Sequence, residues 1–203
     1  MCPCSSCAIP YQAALAPSGR RRLLAGAGAA LALAGGALSS PAQALLAAPA
    51  LWSRPRELWI TRPQAQESTR SVYWADARLQ PDGYAAIIRI YRDLHANAQW
   101  PIALALLDLN FVLQLAVGRV AGRRPLVLLS GYRTAQSNRL VGGTTPNVHG
   151  AGLADDYIYE GLSLAQNHRL ARHFQLGGLG LYPERGSLHK DVGPLRSWTT
   201  RGR

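Results

Sequence analysis

Two periods of hydrophobic residues divide the first half of the chain into predicted strands and helices. Residues 57–76 alternate apolar and polar side chains, the period of a half-buried strand, and predict two short strands with an intervening turn. Residues 81–95 begin with Pro81 and carry apolar residues at helical spacing, so they predict an amphipathic helix. Residues 101–122 form a longer and more apolar run, which predicts a buried helix.

The second half of the chain is composed of shorter segments. Residues 125–133 predict a buried strand that runs into a glycine turn, and residues 133–141 favour a helix. Residues 152–160 predict a strand, and residues 162–174 have the period of a helix. Residues 178–193 predict two short strands joined by a turn that contains proline. The whole pattern predicts one α+β domain, in which N-terminal helices pack on a mostly antiparallel sheet.

The tryptophans divide between core and surface in this interpretation. Trp59, Trp74 and Trp100 are expected in the core, whereas Trp52 and Trp198 flank the domain and are candidates for exposure.

The N-terminal 44 residues have the pattern of a secretory signal peptide. Three arginines, Arg20–Arg22, precede a short run of alanine, leucine and glycine, and an A-x-A sequence closes the segment. Consecutive arginines ahead of a weakly hydrophobic run are typical of the twin-arginine route. We expect a signal over 1–44, an exported linker over 45–56 and a folded domain over 57–203. No membrane span is expected after cleavage, because the apolar run is short and rich in glycine; an uncleaved membrane anchor is the alternative.

Cleavage of this signal changes the charge and removes every cysteine. The chain has 22 Lys+Arg against 11 Asp+Glu, and removal of residues 1–44 leaves 159 residues with a net charge of +8. Cys2, Cys4 and Cys7 all lie in the removed part, so disulfides, thiolate metal sites and cysteine catalysis are excluded for the exported domain. The positive charge fits attraction to an anionic polymer of the cell envelope, or simply a solvated basic surface. Nucleic acid is not an expected partner, because the sequence has no basic helix or aromatic–basic platform.

Two segments of the second half concentrate histidine and aspartate. His149 lies in the loop before the strand 152–160, and alternation along that strand places Asp156 on one face and Asp155 on the other. His189 and Asp191 are two residues apart on a later strand, so they share a face. Two imidazoles and a carboxylate are a common ligand set for catalytic zinc. Taken separately, each segment is more typical of surface side chains.

Three ordered motifs resemble the M15 family of zinc D-Ala-D-Ala peptidases. The residues from His149 to Asp156 form H-x2-G-x-A-x-D, and an S-G-Y-R-x4-N element runs from Ser130 to Asn138. The segment 178–193 looks like the G-x-G-Y-Y-P…H-x-D-x-G ending of the family. The resemblance covers roughly residues 57–199 and includes a branch with murein endopeptidases. It implies a D-Ala-D-Ala peptidase-like fold whose sheet carries a zinc site.

The resemblance also implies roles for single residues. His149, Asp156 and His189 would be the zinc ligands. Arg133 matches the arginine beside the scissile carbonyl, where its charge would stabilise the developing oxyanion. Asp155 replaces the usual apolar residue and is expected to make a cross-strand hydrogen bond or to provide surface charge.

The general base is left open between two acids. The small carboxypeptidases of the family have a glutamate three residues before the last histidine, and this chain has Gly186 there. Asp191 shares a face with His189 and is expected either to accept the proton from zinc-bound water or to orient a ligand. Glu184, in the turn before the strand, is the rival base, and strand geometry favours Asp191.

The function implied is an exported zinc peptidase of peptidoglycan, and an endopeptidase acting on cross-links fits the branch best. A D,D- or L,D-carboxypeptidase, or a non-catalytic module that binds peptidoglycan and retains the zinc, is the alternative. The missing glutamate before His189 is the argument for the module.

Overall fold

The described chain folds into one mixed sheet with helices packed on it. The computed structural model describes residues 48–174 and 177–200, so the predicted signal lies outside the described residues. The strands are β1 Arg56–Arg62, β2 Glu67–Ala75, β3 Arg78–Leu79, β4 Leu126–Ser130, β5 Ala154–Tyr159, β6 Gly178–Tyr182, β7 Ser187–Asp191 and β8 Arg196–Thr199. The helices are α1 Pro49–Ser53, α2 Pro81–Tyr91, α3 Leu104–Ala121, α4 Ala135–Leu140 and α5 Leu164–Phe174. Short 3-10 turns, Pro63–Ala65 and Pro183–Arg185, join β1 to β2 and β6 to β7.

The eight strands lie in the order β3-β2-β1-β4-β5-β7-β6-β8. Neighbouring strands are antiparallel except in the pairs β1–β4 and β6–β8, which are parallel. The predicted α+β class with a mostly antiparallel sheet is therefore confirmed, and strands from both halves of the chain build the sheet. The final strand in sequence, β8, is an edge strand beside β6.

Helices α2 and α3 provide much of the hydrophobic core, as their patterns predict. The apolar positions Tyr84, Ile87, Ile88 and Tyr91 of α2 are all buried. Ten of the 18 residues of α3 are buried, including the polar Asn110. Helix α3 is long and apolar enough to cross a membrane by composition, but 56% of it is buried inside this domain. It is therefore the central core helix of the fold.

The turn after α2 differs from the prediction, because the helix expected over 81–95 ends at Tyr91. The buried guanidinium of Arg62 donates to the carbonyls of Ile90, at 2.7 Å, and Arg92, which satisfies acceptors at the end of the helix. Asp93 then accepts from the N–H groups of His95 and Ala96 and closes a separate turn.

Asp93 also ties this turn to the strand that leads into the candidate site. Its Oδ2 accepts from the Thr134 N–H at 2.8 Å, directly after Arg133. Burial would raise the pKa of Asp93, but hydrogen bonds from Ser137, Thr134 and Ala96 lower it to about 2. The carboxylate is therefore an ionised anchor for the segment that carries Arg133.

The prediction that Trp100 lies in the core is wrong. Its side chain is 46% exposed and its ring stacks on Tyr132, with ring centroids 6.1 Å apart. The reason is that α3 begins only at Leu104, so Trp100 falls in the preceding loop. Within the predicted linker, residues Pro49–Ser53 form α1 and Leu51 packs into the core. The domain boundary at residue 57 stays a prediction.

Candidate metal centre

The metal-facing side of the sheet is set by the pairing of β5 with β7. In this antiparallel pair Asp156 lies directly opposite His189, and Asp155 lies opposite Lys190. Directly paired residues point to the same face and consecutive residues point to opposite faces. Asp156 and His189 therefore share one face, and Asp155 and Lys190 share the other. The strand alternation predicted from the sequence is confirmed.

His149 approaches the same face from the loop before β5. The loop is held by Asn147, whose Nδ2 donates to the Arg133 carbonyl at 3.1 Å and whose Oδ1 accepts from the Gly150 N–H at 2.9 Å. His149 is buried, and its Nε2 lies 3.4 Å from Asp156 Oδ1 and 3.2 Å from His189 Nδ1. His189 Nδ1 is 2.9 Å from the same carboxylate oxygen. The ligand atoms of His149, Asp156 and His189 all lie within 4.8 Å of one another, so the structure brings the three predicted ligands together.

The outer hydrogen bonds of the two imidazoles define which nitrogens face the cluster. His149 Nδ1 lies 2.8 Å from the Gly131 carbonyl, and His189 Nε2 lies 3.2 Å from Asp191 Oδ2. Both partners are acceptors, so in the neutral rings these outer nitrogens carry the protons. The inner nitrogens, His149 Nε2 and His189 Nδ1, then present lone pairs toward each other and toward the carboxylate of Asp156.

This donor set fits a bound cation. Two imidazole nitrogens and one carboxylate oxygen converge here, and lone pairs held this close repel one another unless a positive charge lies beside them. Arg133 supplies one such charge at His149 and Asp156, and a metal ion between the three ligand atoms would supply another. A second ring of acceptors that orients the ligating histidines is also typical of metal sites in proteins. Nitrogen and oxygen ligands in a set of three suit zinc with a fourth position available for chemistry.

The charges of the cluster are strongly coupled. In the metal-free protein a proton on an inner nitrogen can take the place of the metal ion. Burial opposes ionisation of Asp156, but such hydrogen bonds from His149 and His189 and the charge of Arg133 hold the pKa of that carboxyl well below its usual range. Burial likewise disfavours the imidazolium of His189, yet its hydrogen bonds to Asp156 and Asp191 raise its pKa. The site therefore has a strong preference for positive charge between these side chains.

Arg133 borders the cluster, as the sequence motif predicts. Its Nε donates to Ser130 Oγ at 2.8 Å, its Nη2 lies 3.0 Å from His149 Nε2, and it forms an ion pair with Asp156. The guanidinium is largely buried and fixed by contacts on two sides. It is thus a rigid positive charge beside the metal ligands.

Asp191 is fully buried and accepts hydrogen bonds on both oxygens. Oδ1 accepts from the Gly193 N–H at 2.7 Å and the Gly178 N–H at 3.3 Å, while Oδ2 faces His189. Arg196 donates to both oxygens, at 3.2 and 2.6 Å. Burial would raise the pKa of Asp191, but the bonds from His189 and Gly193 and the charge of Arg196 lower it to about 2. These contacts are typical of a residue that orients His189.

Glu184 lies in a different environment from Asp191. It occupies the 3-10 turn Pro183–Arg185 and is exposed at the end of the β6–β7 hairpin. Gly186, where the small carboxypeptidases have glutamate, closes that turn with φ of 60°. The structure thus places Asp191 next to His189, a candidate metal ligand, and Glu184 at the surface of the hairpin.

Asp155 makes the predicted cross-strand contact, but it carries no surface charge. It is fully buried, forms an ion pair with Lys190, and accepts from the Tyr91 hydroxyl at 2.7 Å and Asn110 Nδ2 at 2.9 Å. Lys190 Nζ also lies 3.2 Å from the ring centre of Tyr157. Burial lowers the pKa of Lys190 to about 8 despite the ion pair. A sequence signal for this network existed in Asn110, one of the few polar residues of helix α3.

Sequence reasoning missed two residues of β8. Arg196 contacts Asp191, and the ring of Trp198, which was a candidate for exposure, lies 5.4 Å from that of His189. Trp198 is half-buried. The two residues follow the last recognised motif, so the only available signal was their closeness in sequence to it.

A histidine–aspartate–histidine cluster with an adjacent arginine on a mostly antiparallel sheet has the composition of a metal site in a hydrolase. The chain belongs to a family of M15 peptidases described as Peptidoglycan L,D-endopeptidase MepK, whose sequence profile matches residues 51–198. The resemblance to the M15 family is thereby confirmed.

Peptidoglycan L,D-endopeptidase MepK of Escherichia coli K12 is 33% identical over 184 residues, which cover 88% of this chain and 96% of the relative. The protein of that name in Shigella flexneri matches to the same extent. A probable peptidoglycan L,D-endopeptidase MepK of Haemophilus influenzae is 34% identical over 76 residues, 35% of this chain and 41% of that relative.

Proposed function

We propose that this protein is an exported, zinc-dependent endopeptidase that hydrolyses L,D-peptide bonds in the cross-links of peptidoglycan. The observation that carries the proposal is the convergence of His149 Nε2, Asp156 Oδ1 and His189 Nδ1, with the outer nitrogens of both rings held by acceptors. Family membership and the names of the relatives supply the substrate class and the type of bond. Zinc is favoured over other metals because the ligand set has two imidazoles and one carboxylate.

The chemistry would be divided between the metal and the protein. Zinc bound by His149, Asp156 and His189 would polarise the peptide carbonyl and acidify a water molecule. Arg133, fixed by Ser130, would hold the negative charge that develops on the carbonyl oxygen.

The remaining roles belong to the two acids that the sequence singled out. The saturated contacts of Asp191 favour its role as the residue that keeps the proton on His189 Nε2. Both oxygens of Asp191 already accept hydrogen bonds, which makes Glu184 the better of the two candidates for the base, against the preference that strand geometry gave to Asp191. Its exposed position requires that the hairpin end approach the substrate.

Export follows from the substrate, because peptidoglycan lies outside the cytoplasmic membrane. The three consecutive arginines and the A-x-A site support a twin-arginine signal cleaved after Ala44. The surplus of arginine in the remaining domain would concentrate it on the anionic wall polymer.

The test is digestion of purified sacculi by the protein without residues 1–44. We expect release of muropeptides that stops with a chelator and returns with added zinc. His149→Ala should abolish release, while His173→Ala, on the exposed side of α5, should leave it unchanged. Tight binding to sacculi without release would support the non-catalytic module instead. Release of single terminal amino acids, without loss of cross-links, would assign a carboxypeptidase.

A further inference from the structure

One row of paired residues crosses the sheet through the metal centre and continues to its edge. Ser130 pairs with Asp156, Asp156 with His189, His189 with Gly180, and Gly180 with Trp198. Because paired residues share a face, Trp198 of the edge strand β8 lies on the face that carries the metal ligands.

Gly180 allows the tryptophan to reach the centre from two strands away. A Cβ atom at this position would lie 2.6 Å from Cε2 and Cζ2 of Trp198, so the indole covers the glycine backbone. The ring then lies 5.4 Å from the ring of His189, tilted by 46°. Its Nε1–H donates to the Tyr182 hydroxyl at 3.2 Å, which fixes its orientation.

The neighbouring row repeats this arrangement with a charged residue. Asp191 pairs with Gly178, and Gly178 pairs with Arg196. A Cβ at Gly178 would lie 2.3 Å from Asp191 Oδ2 and 2.9 Å from Arg196 Cζ. Arg196 passes over this glycine to Asp191, and its guanidinium also lies 5.2 Å from the centre of the Trp198 ring. Both glycines of β6 thus open paths from the edge strand to β7.

We propose that Trp198 forms a wall of the substrate cleft and is a specificity-determining residue that contacts the cross-linked peptide beside the scissile bond. The ring is flat, held on three sides by Gly180, Tyr182 and Arg196, and half-exposed next to a metal ligand. A rigid apolar wall discriminates between stereoisomers, because inversion of one substrate centre turns its side chain toward or away from the ring. Trp198 would therefore contribute to the choice between L,D-linked and D,D-linked peptides, and the preference for the L,D-linked one is taken from the proposed function. This inference rests on the proposed function.

The experiment measures cleavage of purified L,D-linked and D,D-linked muropeptide dimers by the zinc-loaded protein. Trp198→Leu should bind zinc in wild-type amount, raise KM for the L,D-linked dimer on the order of 10-fold with a smaller change in kcat, and lower the preference for that dimer. Trp198→Phe should recover part of the preference. Trp59 was expected in the core, but it is half-buried on β1 and outside the core cluster, so Trp59→Leu should behave as wild type.

A second variant displaces the ring without removing it. Gly180→Ala should shift Trp198 and raise KM in the same direction, whereas Gly118→Ala, with open space around its Cβ, should have no effect. Unchanged KM and preference in Trp198→Leu would overturn the proposal. Loss of zinc together with kcat would also overturn it, because the ring would then only support His189.

Failure of the proposed function has a different signature. If the wild type cleaves neither dimer, binding of the intact L,D-linked dimer is measured by calorimetry. Trp198→Leu should then weaken that binding on the order of 10-fold, and equal affinity in both proteins would refute the contact.

Discussion

Replacement of Asp191 by asparagine separates an orienting role from a base role. The asparagine side chain has one oxygen, so its amide nitrogen would face either the Gly193 N–H or the donors of His189 and Arg196. The pKa of Asp191 is about 2 instead of its ordinary 3.8, which corresponds to roughly 2 kcal/mol of folding free energy at neutral pH. If Asp191 orients His189, we expect Asp191→Asn to weaken zinc binding by about 10–100-fold.

The pH dependence of the free energy of unfolding provides a second check on the contribution of Asp191 to stability. The folded-state pKa is depressed, so the stabilisation is present above the unfolded value near 3.8 and is lost as the pH falls through about 2. The variant should therefore be less stable than the wild type at pH 7, and the two proteins should converge between about pH 4 and pH 2 in denaturant unfolding of the metal-free forms. If the free energies of unfolding of the two proteins differ by the same amount over that range of pH, the contacts assigned to Asp191 are contradicted.

The assay combines zinc competition with a chromophoric chelator and turnover of muropeptide dimers at saturating zinc. Turnover of Asp191→Asn should recover substantially at high zinc, because the chemistry itself is intact. Full zinc affinity with turnover lowered by about 10²–10⁴-fold would refute the orienting role and make Asp191 the base. Glu184→Gln is the matched acid-to-amide change, and a loss of turnover with zinc retained would assign the base to Glu184.

Three further predictions concern the two sheet faces and the signal. Asp156→Ala should weaken zinc binding far more than Asp155→Ala in the same chelator competition, and equal losses would contradict the strand faces. Lys190→Met leaves Asp155 as a buried charge without its cation and should cost about 3–5 kcal/mol in urea unfolding. Adding Asp155→Leu should restore part of this loss, because it removes the charge but also the acceptor of Tyr91 and Asn110. Replacement of Arg20–Arg22 by lysines should block export, as followed by cell fractionation, and normal export would indicate a route other than twin-arginine.

The elements and the faces of β5 could be predicted from the sequence, for different reasons, whereas His149, Asp156 and His189 were grouped by the family resemblance and their role as metal ligands stays a prediction. Hydrophobic period located α2, α3, β5 and β7, because each buries one face or the whole element. Because side chains alternate along a strand, Asp155 and Asp156 could be placed on opposite faces of the sheet without any tertiary information.

The contacts across the sheet could not be predicted, because they depend on strand order. Strand β8 lies beside β6, and β6 lies between it and β7, so only the topology shows that Trp198 approaches His189. Likewise, two of the hydrogen bonds to Asp191 come from backbone groups of Gly178 and Gly193, whose positions no side-chain pattern reveals.

The buried pair of Asp155 and Lys190 has a consequence for how related sequences change over time. Each charge is tolerated in the interior only because the other is present, so loss of either one alone is unfavourable. Two apolar residues of similar volume would fill the same space without that dependence. Across relatives, positions 155 and 190 should therefore vary together, as an acid with a base or as two hydrophobic residues. Asp156 and His189, their immediate neighbours in the chain, should follow no such exchange, because a metal ion requires both.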